Sequence, residues 1–243
     1  MTISHSCLER DRVALITGAS KGFGFAVARL LAERGLRLVI TARRAGELEV
    51  AAAELSRLTK VTALAGDVAD SDHAHALIDT AAQLGRLDLL VNNASTLGAS
   101  PMPALDSLGP GVFRELFAVN VYAPLHLIQH ALPLLRASGG TIVNVSSDAA
   151  VQAYAGWGGY GASKAALEHL SRVLAAEIGD EVGVMIVDPG DMRTELHELA
   201  EPGEDLSALP APEAVAPALL DAIARRRGPF ERVELQELAG TAA

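Results

Sequence analysis

Short apolar runs alternate along the chain with longer segments in which apolar residues recur at helical spacing. The runs predict six strands, at residues 13–17, 36–41, 61–66, 87–92, 141–146 and 182–188. The intervening segments predict helices at residues 22–34, 45–58, 71–84, 112–136 and 160–178. Nearly continuous apolar strands are typical of a parallel sheet with both faces covered. The alternation therefore predicts an α/β fold, a doubly wound parallel sheet with helices on both faces.

Two segments depart from this alternation. Residues 95–110 are rich in Gly, Pro and Ser, which predicts a loop. Residues 195–211 are acidic and precede a helix that begins near Pro212, and they form either a substrate lid or an idle surface loop. A last short strand is expected at residues 230–235. We expect one domain over residues 1–243, with a flexible lead at residues 1–11.

Composition and charge exclude several classes of protein. A net charge of −10 argues against a nucleic-acid surface, and the one basic run, residues 225–227, lies at a predicted helix end, where cations suit the dipole. No apolar run approaches the length of a membrane span, and no secretory signal is evident. Cys7 is the single cysteine, which excludes an intrachain disulfide. The chain is therefore expected to be cytoplasmic.

A glycine-rich turn, TGASKGFG at residues 17–24, follows the first predicted strand and opens a helix. Such a turn places free backbone N–H groups and the helix dipole at one point, which suits a pyrophosphate. Glycine is needed there because a side chain would block the close approach of the phosphates. The spacing, Gly18-x-x-x-Gly22-x-Gly24, differs from the G-x-G-x-x-G dinucleotide fingerprint. Taken alone, the motif is also compatible with an ordinary tight turn.

A second motif pairs Tyr160 with Lys164, four residues apart and so on one face of a predicted helix. Ser147 ends the preceding strand, Asn120 lies in the helix before that strand, and an Asn-Asn-Ala segment at residues 92–94 ends the fourth strand. With the glycine turn, this ordered set resembles the short-chain dehydrogenase/reductase family over about residues 12–194. The resemblance implies a Rossmann-type fold and a nicotinamide-dependent oxidoreductase.

The four polar residues suit the chemistry of hydride transfer. Reducing a carbonyl needs a proton donor for the developing alkoxide and hydrogen bonds to its oxygen. Tyr160 is the proposed acid, or the base in reverse, and the Lys164 ammonium is expected to lower its pKa. The resemblance implies that Ser147 hydrogen-bonds the substrate oxygen and that Lys164 also holds the nicotinamide ribose. It further implies that Asn120 supports a water-mediated proton relay through the lysine.

The cofactor is expected to be NADP(H). The second strand is followed by Arg43 and not by the acid that binds the ribose of NAD, and a guanidinium can bind a 2′-phosphate. Lys21, inside the glycine turn, adds a second cation, as in NADP-preferring members of the family. The resemblance implies these cofactor contacts: Gly18, Ser20, Lys21, Gly22, Phe23, Gly24, Arg43, Asp67, Val68, Asn93, Ala94, Tyr160, Lys164, Pro189, Gly190 and Thr194.

The substrate is expected to be a small free carbonyl compound or secondary alcohol. The acidic stretch at residues 177–181 argues against a substrate bound to an acidic carrier protein. The pocket wall is expected to include Asp148, Gln152, Trp157 and the candidate lid, while Asp191 either contacts a polar substrate or caps the next helix. A non-catalytic nucleotide-binding sensor and an epimerase or dehydratase on the same fold remain alternatives.

The last two expectations concern metal binding by the histidines and the oligomeric state. None of the seven histidines combines with cysteine or carboxylates at a metal-binding spacing, so we predict no metal site and expect the histidines on helix surfaces. The resemblance implies a homodimer or homotetramer that associates through the helices at residues 112–136 and 160–178.

Overall fold

The computed structural model describes residues 6–240, which contain one seven-stranded sheet. Its strands are β1 Val13–Thr17, β2 Arg37–Ala42, β3 Val61–Ala65, β4 Leu89–Asn92, β5 Thr141–Val145, β6 Gly183–Asp188 and β7 Phe230–Glu234. The order across the sheet is β3-β2-β1-β4-β5-β6-β7, and all neighbouring pairs are parallel. The predicted doubly wound parallel sheet is confirmed, and every strand lies within two residues of its predicted bounds.

Helices cover both faces of this sheet. They are α1 Gly22–Glu33, α2 Ala45–Leu55, α3 Ser71–Gln83, α4 Pro110–Phe117, α5 Ala123–Ser138, α6 Gly158–Ile178, α7 Glu195–Ala200, α8 Pro212–Arg225 and α9 Leu235–Gly240. Each face of the sheet packs on helices to form one apolar core. On one face Ala14 and Ile16 of β1 pack with α1, α2 and α8, and on the other Val13 and Leu15 pack with α3, α5 and α6. None of the described helices is long and apolar enough to cross a membrane.

One predicted helix, at residues 112–136, is two helices joined by a π-helical turn. The turn spans Ala118–Tyr122, between α4 and α5. Asn120 lies at its centre and is buried. The sequence gives no signal for this turn, because Leu116, Val119 and Ala123 continue an ordinary apolar helical pattern. Turns of this kind recur at functional sites.

The strand order changes direction between β1 and β4. The chain builds β1, β2 and β3 to one side, then returns to place β4 against the other side of β1. Ligands of open α/β sheets bind beyond the carboxyl ends of the strands at such a point. The glycine turn leaves β1 here, and Asn93 follows β4. The topology thus brings two distant predicted motifs together.

One expectation about the N-terminal lead is wrong. Residues 6–11 do not form a flexible lead: Cys7 is buried in the core on the α8 side, and its Sγ lies 3.8 Å from Thr141 Oγ1. Residues 1–5 of the predicted lead lie outside the described residues. The basic run lies at the end of α8, as expected, and Arg226 is buried there, with its guanidinium packed against Gly183 and donating to the Gly228 carbonyl.

Candidate active site

A cavity of about 620 Å³ opens at the carboxyl edge of the sheet. The glycine turn, the ends of β2, β4, β5 and β6, the start of α6 and the segment around α7 line it. The cavity brings together the predicted site residues Gly18, Ser20, Lys21, Gly22, Phe23, Arg43, Asp67, Val68, Asn93, Ala94, Ser147, Tyr160, Lys164, Pro189, Gly190 and Thr194. Gly24 and Asn120 are the two predicted residues that do not line it.

Asn93 holds the glycine turn in shape. Its amide donates to the carbonyl oxygens of Thr17 and Gly18, at 2.9 and 3.1 Å, while its backbone N–H donates to Thr17 Oγ1. Gly18 has a φ of 65°, and a Cβ there would lie 2.8 Å from Asn93 Nδ2. A Cβ on Gly24 would clash with the same amide. Glycine is therefore required at position 24 for packing against Asn93, and not to let a ligand approach the backbone.

The first turn of α1 has the form of a phosphate cradle. The N-cap residue, Lys21, makes no side-chain hydrogen bond to the helix. The first backbone N–H groups of α1 therefore have no side-chain cap. Gly22 also has positive φ, and a Cβ there would find only Thr194 Cγ2, at 3.7 Å. Open space beside uncapped N–H groups fits the pyrophosphate of a dinucleotide. The residues present therefore fit a nicotinamide cofactor at this end of the cavity.

Cations and acids share the region beyond β2. Lys21 pairs with Glu195 and lies 3.2 Å from Glu47, while Arg44 pairs with the same two carboxylates at 3.4 and 2.8 Å. These contacts lower the pKa of Glu47, chiefly through its hydrogen bonds with Arg44 and Lys21. Arg43 is exposed at the edge of the cavity. The two acids are features that the sequence interpretation missed.

Tyr160 and Lys164 are both buried at the centre of the cavity. Burial raises the pKa of Tyr160 to about 12, although hydrogen bonds with Ser95 and Ser147 oppose this. Burial likewise lowers the pKa of Lys164 to about 8. The ammonium lies 5.5 Å from the centre of the phenol ring and donates to the Val145 carbonyl at 2.9 Å. The net pKa of Tyr160 is therefore raised and not lowered, because desolvation is the largest effect on it, and the lowering effect of the Lys164 charge stays a prediction.

Ser147 lies beside Tyr160 and is held from its other side by Asp148. Its hydroxyl donates to Asp148 Oδ1 at 3.0 Å and accepts from the Ala149 N–H. The second oxygen of Asp148 accepts from the Tyr154 hydroxyl at 2.6 Å. The single hydroxyl proton of Ser147 is therefore engaged by Asp148 in this structure, while the hydroxyl oxygen lies close to the phenol.

Asn120 contacts the loop after β4. Its carbonyl oxygen accepts from Ser95 Oγ at 3.2 Å and from the Thr96 N–H at 2.9 Å. Its amide donates to the Thr96 carbonyl and to Ser163 Oγ. These four bonds use its full capacity, and they connect it to Tyr160 through Ser95. The relay role of Asn120 through Lys164 stays a prediction.

A buried polar network below the cavity was missed from the sequence. Glu168, one turn after Lys164 on α6, accepts from Ser146 Oγ at 2.8 Å and from Arg232 Nε at 3.1 Å. Arg232, on β7, also lies 3.8 Å from Asp188, at the end of β6. Burial raises the pKa of Asp188. The i, i+4 spacing of Lys164 and Glu168 was a visible signal, but the partner on β7 was not.

The segment after β6 corrects one expectation. Thr194 caps α7, since its hydroxyl accepts from the His197 N–H at 3.2 Å. Asp191 therefore does not cap this helix; it is exposed, with a carboxylate oxygen 3.6 Å from His197 Nδ1. Asp191 lines the cavity, so the alternative, contact with a polar substrate, stays a prediction.

The candidate lid lies against the cavity. Residues 195–211 include α7, whose apolar side chains Leu196, Leu199 and Ala200 line the opening. Ser100 Oγ donates to the Leu199 carbonyl at 2.6 Å, which ties the loop after β4 to this helix. Asp148 and Trp157 line the cavity as expected, and Trp157 packs edge-on to Tyr160 at 5.8 Å. Gln152 is exposed outside it, so its placement in the pocket wall is wrong.

Known proteins resemble the chain over most of its length. A family model described as short chain dehydrogenase matches residues 12–205. A Pseudomonas aeruginosa protein named rhamnolipids biosynthesis 3-oxoacyl-(acyl-carrier-protein) reductase is 37% identical over 191 residues, covering 74% of this chain and 72% of its own. An uncharacterised oxidoreductase of Escherichia coli K12, YciK, is 34% identical over 220 residues, covering 88% of this chain and 86% of its own.

Solved structures share the fold. A short chain dehydrogenase of Shigella flexneri 2a, complexed with NADP, has a TM-score of 0.85 and 31% identity, covering 94% of this chain and 98% of its own. A short chain dehydrogenase of Pseudomonas syringae has a TM-score of 0.86 and 30% identity, covering 97% and 99%.

Proposed function

The chain belongs to the short-chain dehydrogenase family, and we propose that it is an NADP(H)-dependent enzyme acting on a small carbonyl or secondary alcohol substrate. The observation that carries the proposal is a neutral, buried phenol at the centre of the cavity. The pKa of Tyr160, raised to about 12, keeps its proton in place at neutral pH. A protonated phenol can donate to a developing alkoxide, and the nearby Lys164 charge favours the phenolate that results.

The residues around Tyr160 support reduction of a carbonyl. When bound, the reduced nicotinamide supplies the hydride that adds to the carbonyl carbon. Tyr160 gives its proton to the carbonyl oxygen, so that the product is an alcohol, and the Ser147 hydroxyl turns from Asp148 to donate to that oxygen. The Lys164 ammonium, 5.5 Å from the ring, stabilises the phenolate that remains. The reverse steps oxidise an alcohol, with the phenolate as base.

Preference for NADP rests on the cations beyond β2. Arg43, Arg44 and Lys21 line the end of the cavity where a 2′-phosphate would lie, and no acid occupies the position after β2. The NADP complex of the Shigella flexneri relative also supports this preference. Glu47 and Glu195 oppose it, since both carboxylates pair with these cations.

A small free substrate is proposed over a carrier-bound one. The acidic residues after α6 include Glu181, which pairs with Arg136 at 2.8 Å and leaves that arginine engaged. The apolar side chains of α7 and Trp157 suit a substrate with an apolar body. The Pseudomonas aeruginosa relative, named for a carrier-bound substrate, provides the competing class for a substrate screen.

Cofactor titration is the first test. Purified protein is titrated with NADPH and with NADH, while the fluorescence of the nucleotide is followed. We expect tighter binding of NADPH, weakened about tenfold or more by Arg43→Ala, since a charge-assisted pair contributes about 1.5–3 kcal/mol. Arg57→Ala, an exposed arginine outside the cavity, is the matched control. Equal or tighter binding of NADH would contradict the assigned preference.

Substitution of the phenol tests the chemistry. Tyr160→Phe is expected to lower turnover of a reducible carbonyl by about 10²–10⁴-fold, because it removes only the proton donor. NADPH binding by the variant, measured as above, should stay close to that of the wild type. Retained turnover would refute the role of Tyr160. Binding of nucleotide with no turnover by the wild type, over both free and carrier-bound carbonyls, would favour the non-catalytic sensor.

Association into a homodimer or homotetramer is also proposed. Phe113 on α4, Tyr122 before α5 and Val173 on α6 are exposed large apolar side chains on the predicted helices. Light scattering coupled to size-exclusion chromatography gives the mass directly, and a monomer would contradict the proposal.

A further inference from the structure

Three histidines from two helices meet on the surface of the α3–α5 pair. One ring nitrogen from each of His75, His126 and His130 lies within 4.8 Å of the others. His126 and His130 share a face of α5, with their Nε2 atoms 2.9 Å apart. The ring centres of His75 and His130 are 4.1 Å apart across the two helices.

Contacts of His75 and His126 hold their rings in orientations that suit metal ligands. His75 Nδ1 donates to the Ser71 carbonyl at 2.7 Å, since a carbonyl can only accept. In the neutral ring this bond makes Nε2 the acceptor nitrogen, as in histidines that bind metals, whose other nitrogen donates to a carbonyl or carboxylate. The Tyr122 ring stacks on His126 at 5.7 Å and restricts its orientation.

The spacing suits a tetrahedral metal ion. Zinc–nitrogen bonds of about 2.0–2.1 Å place neighbouring ligand nitrogens about 3.3 Å apart. The His126 and His130 nitrogens are already near that distance, and a ring nitrogen of the exposed His75 lies within 4.8 Å of the ligand atoms of both. Asp72 and Asp79 lie one turn before and after His75 on α3, and the chain carries a net charge of −10. Both features favour a divalent cation over an uncharged or anionic ligand.

We propose that His75, His126 and His130 form a binding site for a divalent transition-metal ion of the zinc type, which joins α3 to α5. Imidazole nitrogens are ligands for Zn²⁺, Co²⁺, Ni²⁺ and Cu²⁺ and are poor ones for Mg²⁺ and Ca²⁺. Three protein nitrogens leave a fourth position for water. None of the three histidines lines the cavity described above, so the ion has a structural role outside the reaction. The proposal does not depend on the proposed function.

Metal titration tests the site. The full chain, without a polyhistidine tag, is titrated with Zn²⁺ by calorimetry and with Co²⁺ by visible absorption. We expect saturation at one ion per chain and the intense absorption of tetrahedral Co²⁺. We also expect a higher unfolding temperature with Zn²⁺, because a ligand that binds only the folded state stabilises it. Mg²⁺ should produce neither effect.

Variants locate the ion. His75→Ala and His130→Ala are each expected to weaken Zn²⁺ binding by at least about tenfold and to abolish the rise in unfolding temperature. His169→Ala, an exposed histidine on α6 outside the cluster, should bind as the wild type does. NADPH binding by each variant reports that it is folded. Binding weaker than about 100 µM in the wild type, or equal binding by wild type and His75→Ala, would overturn the proposal.

Discussion

At the scale of single residues, burial governs the chemistry of the Tyr160–Lys164 pair more than their proximity does. Both side chains are shifted towards their neutral forms, with pKa values of about 12 and about 8. The sequence places a cation one helical turn from the phenol, which alone predicts a lowered pKa for Tyr160. Spacing along a helix does not report how much water reaches the two groups. The directions of the two pKa shifts could therefore be predicted only from the tertiary structure.

Burial of Lys164 predicts an unusual dependence of stability on pH. Its pKa falls from 10.5 to about 8 on folding, so between these values the unfolded chain binds more protons and stability rises with pH. Below pH 8 the burial costs about 3 kcal/mol. Urea unfolding of wild type and Lys164→Met should therefore show a difference that moves in favour of the wild type by about 2–3 kcal/mol between pH 7 and 10.

The comparison with Lys164→Met removes other ionisations from this test. Cys7 and Tyr160 have raised pKa values, and both groups lower stability at alkaline pH, but they are common to the two proteins. The lost hydrogen bond to the Val145 carbonyl shifts the difference by a constant amount. A difference independent of pH would contradict the depressed pKa of the lysine.

At the scale of elements, the short helix α7 connects the candidate lid to the cofactor end of the cavity. Its first residue, Glu195, pairs with both Lys21 and Arg44, while Leu199 is bonded to the loop after β4. The sequence predicts an acidic, Pro- and Gly-containing excursion here, and it gives no bounds for the short helix expected after Asp191. Six helical residues with a Thr cap are too short to produce a periodic pattern.

Removing the charge of Glu195 is expected to tighten NADPH binding a few-fold. The carboxylate pairs with two cations that we assign to the 2′-phosphate and would repel that group, and a solvent-exposed pair contributes little energy. Glu195→Gln should leave NADH binding unchanged, and fluorescence titration measures both. Glu198→Gln, exposed on the same helix, is the control. Weaker NADPH binding by Glu195→Gln would contradict the assignment.

At the scale of the whole molecule, the last strand, β7, packs beneath the cavity against α6, the helix that carries Tyr160 and Lys164. Arg232 on β7 reaches Glu168 on α6 and Asp188 on β6, so elements distant along the chain meet beneath the cavity. Glu168 is 1% exposed in its side chain and also pairs with Arg172. A buried carboxylate that loses one partner is left partly uncompensated.

Arg232→Met is therefore expected to lower the free energy of unfolding by about 2–4 kcal/mol, as urea denaturation measures it. The double variant Arg232→Met with Glu168→Gln should recover part of this loss, because it also removes the uncompensated charge. Arg227→Met, an exposed arginine in the same part of the chain, should change stability little. If Arg232→Met behaves as Arg227→Met does, the network does not support the helix.

The sequence by itself determined the sheet, the glycine turn and the line of polar residues at the strand ends. Continuous apolar strands, a Gly-rich strand-to-helix turn and an i, i+4 pair are local patterns. Such patterns depend on residues that are neighbours in the sequence, so they can be recognised without the tertiary structure. Only the tertiary structure decided the burial of Cys7 and the meeting of His75 with the two histidines of α5. It also decided the acids beside Lys21 and the raised pKa of Tyr160. Each depends on contacts between residues far apart in the chain, and on the exclusion of water that those contacts produce.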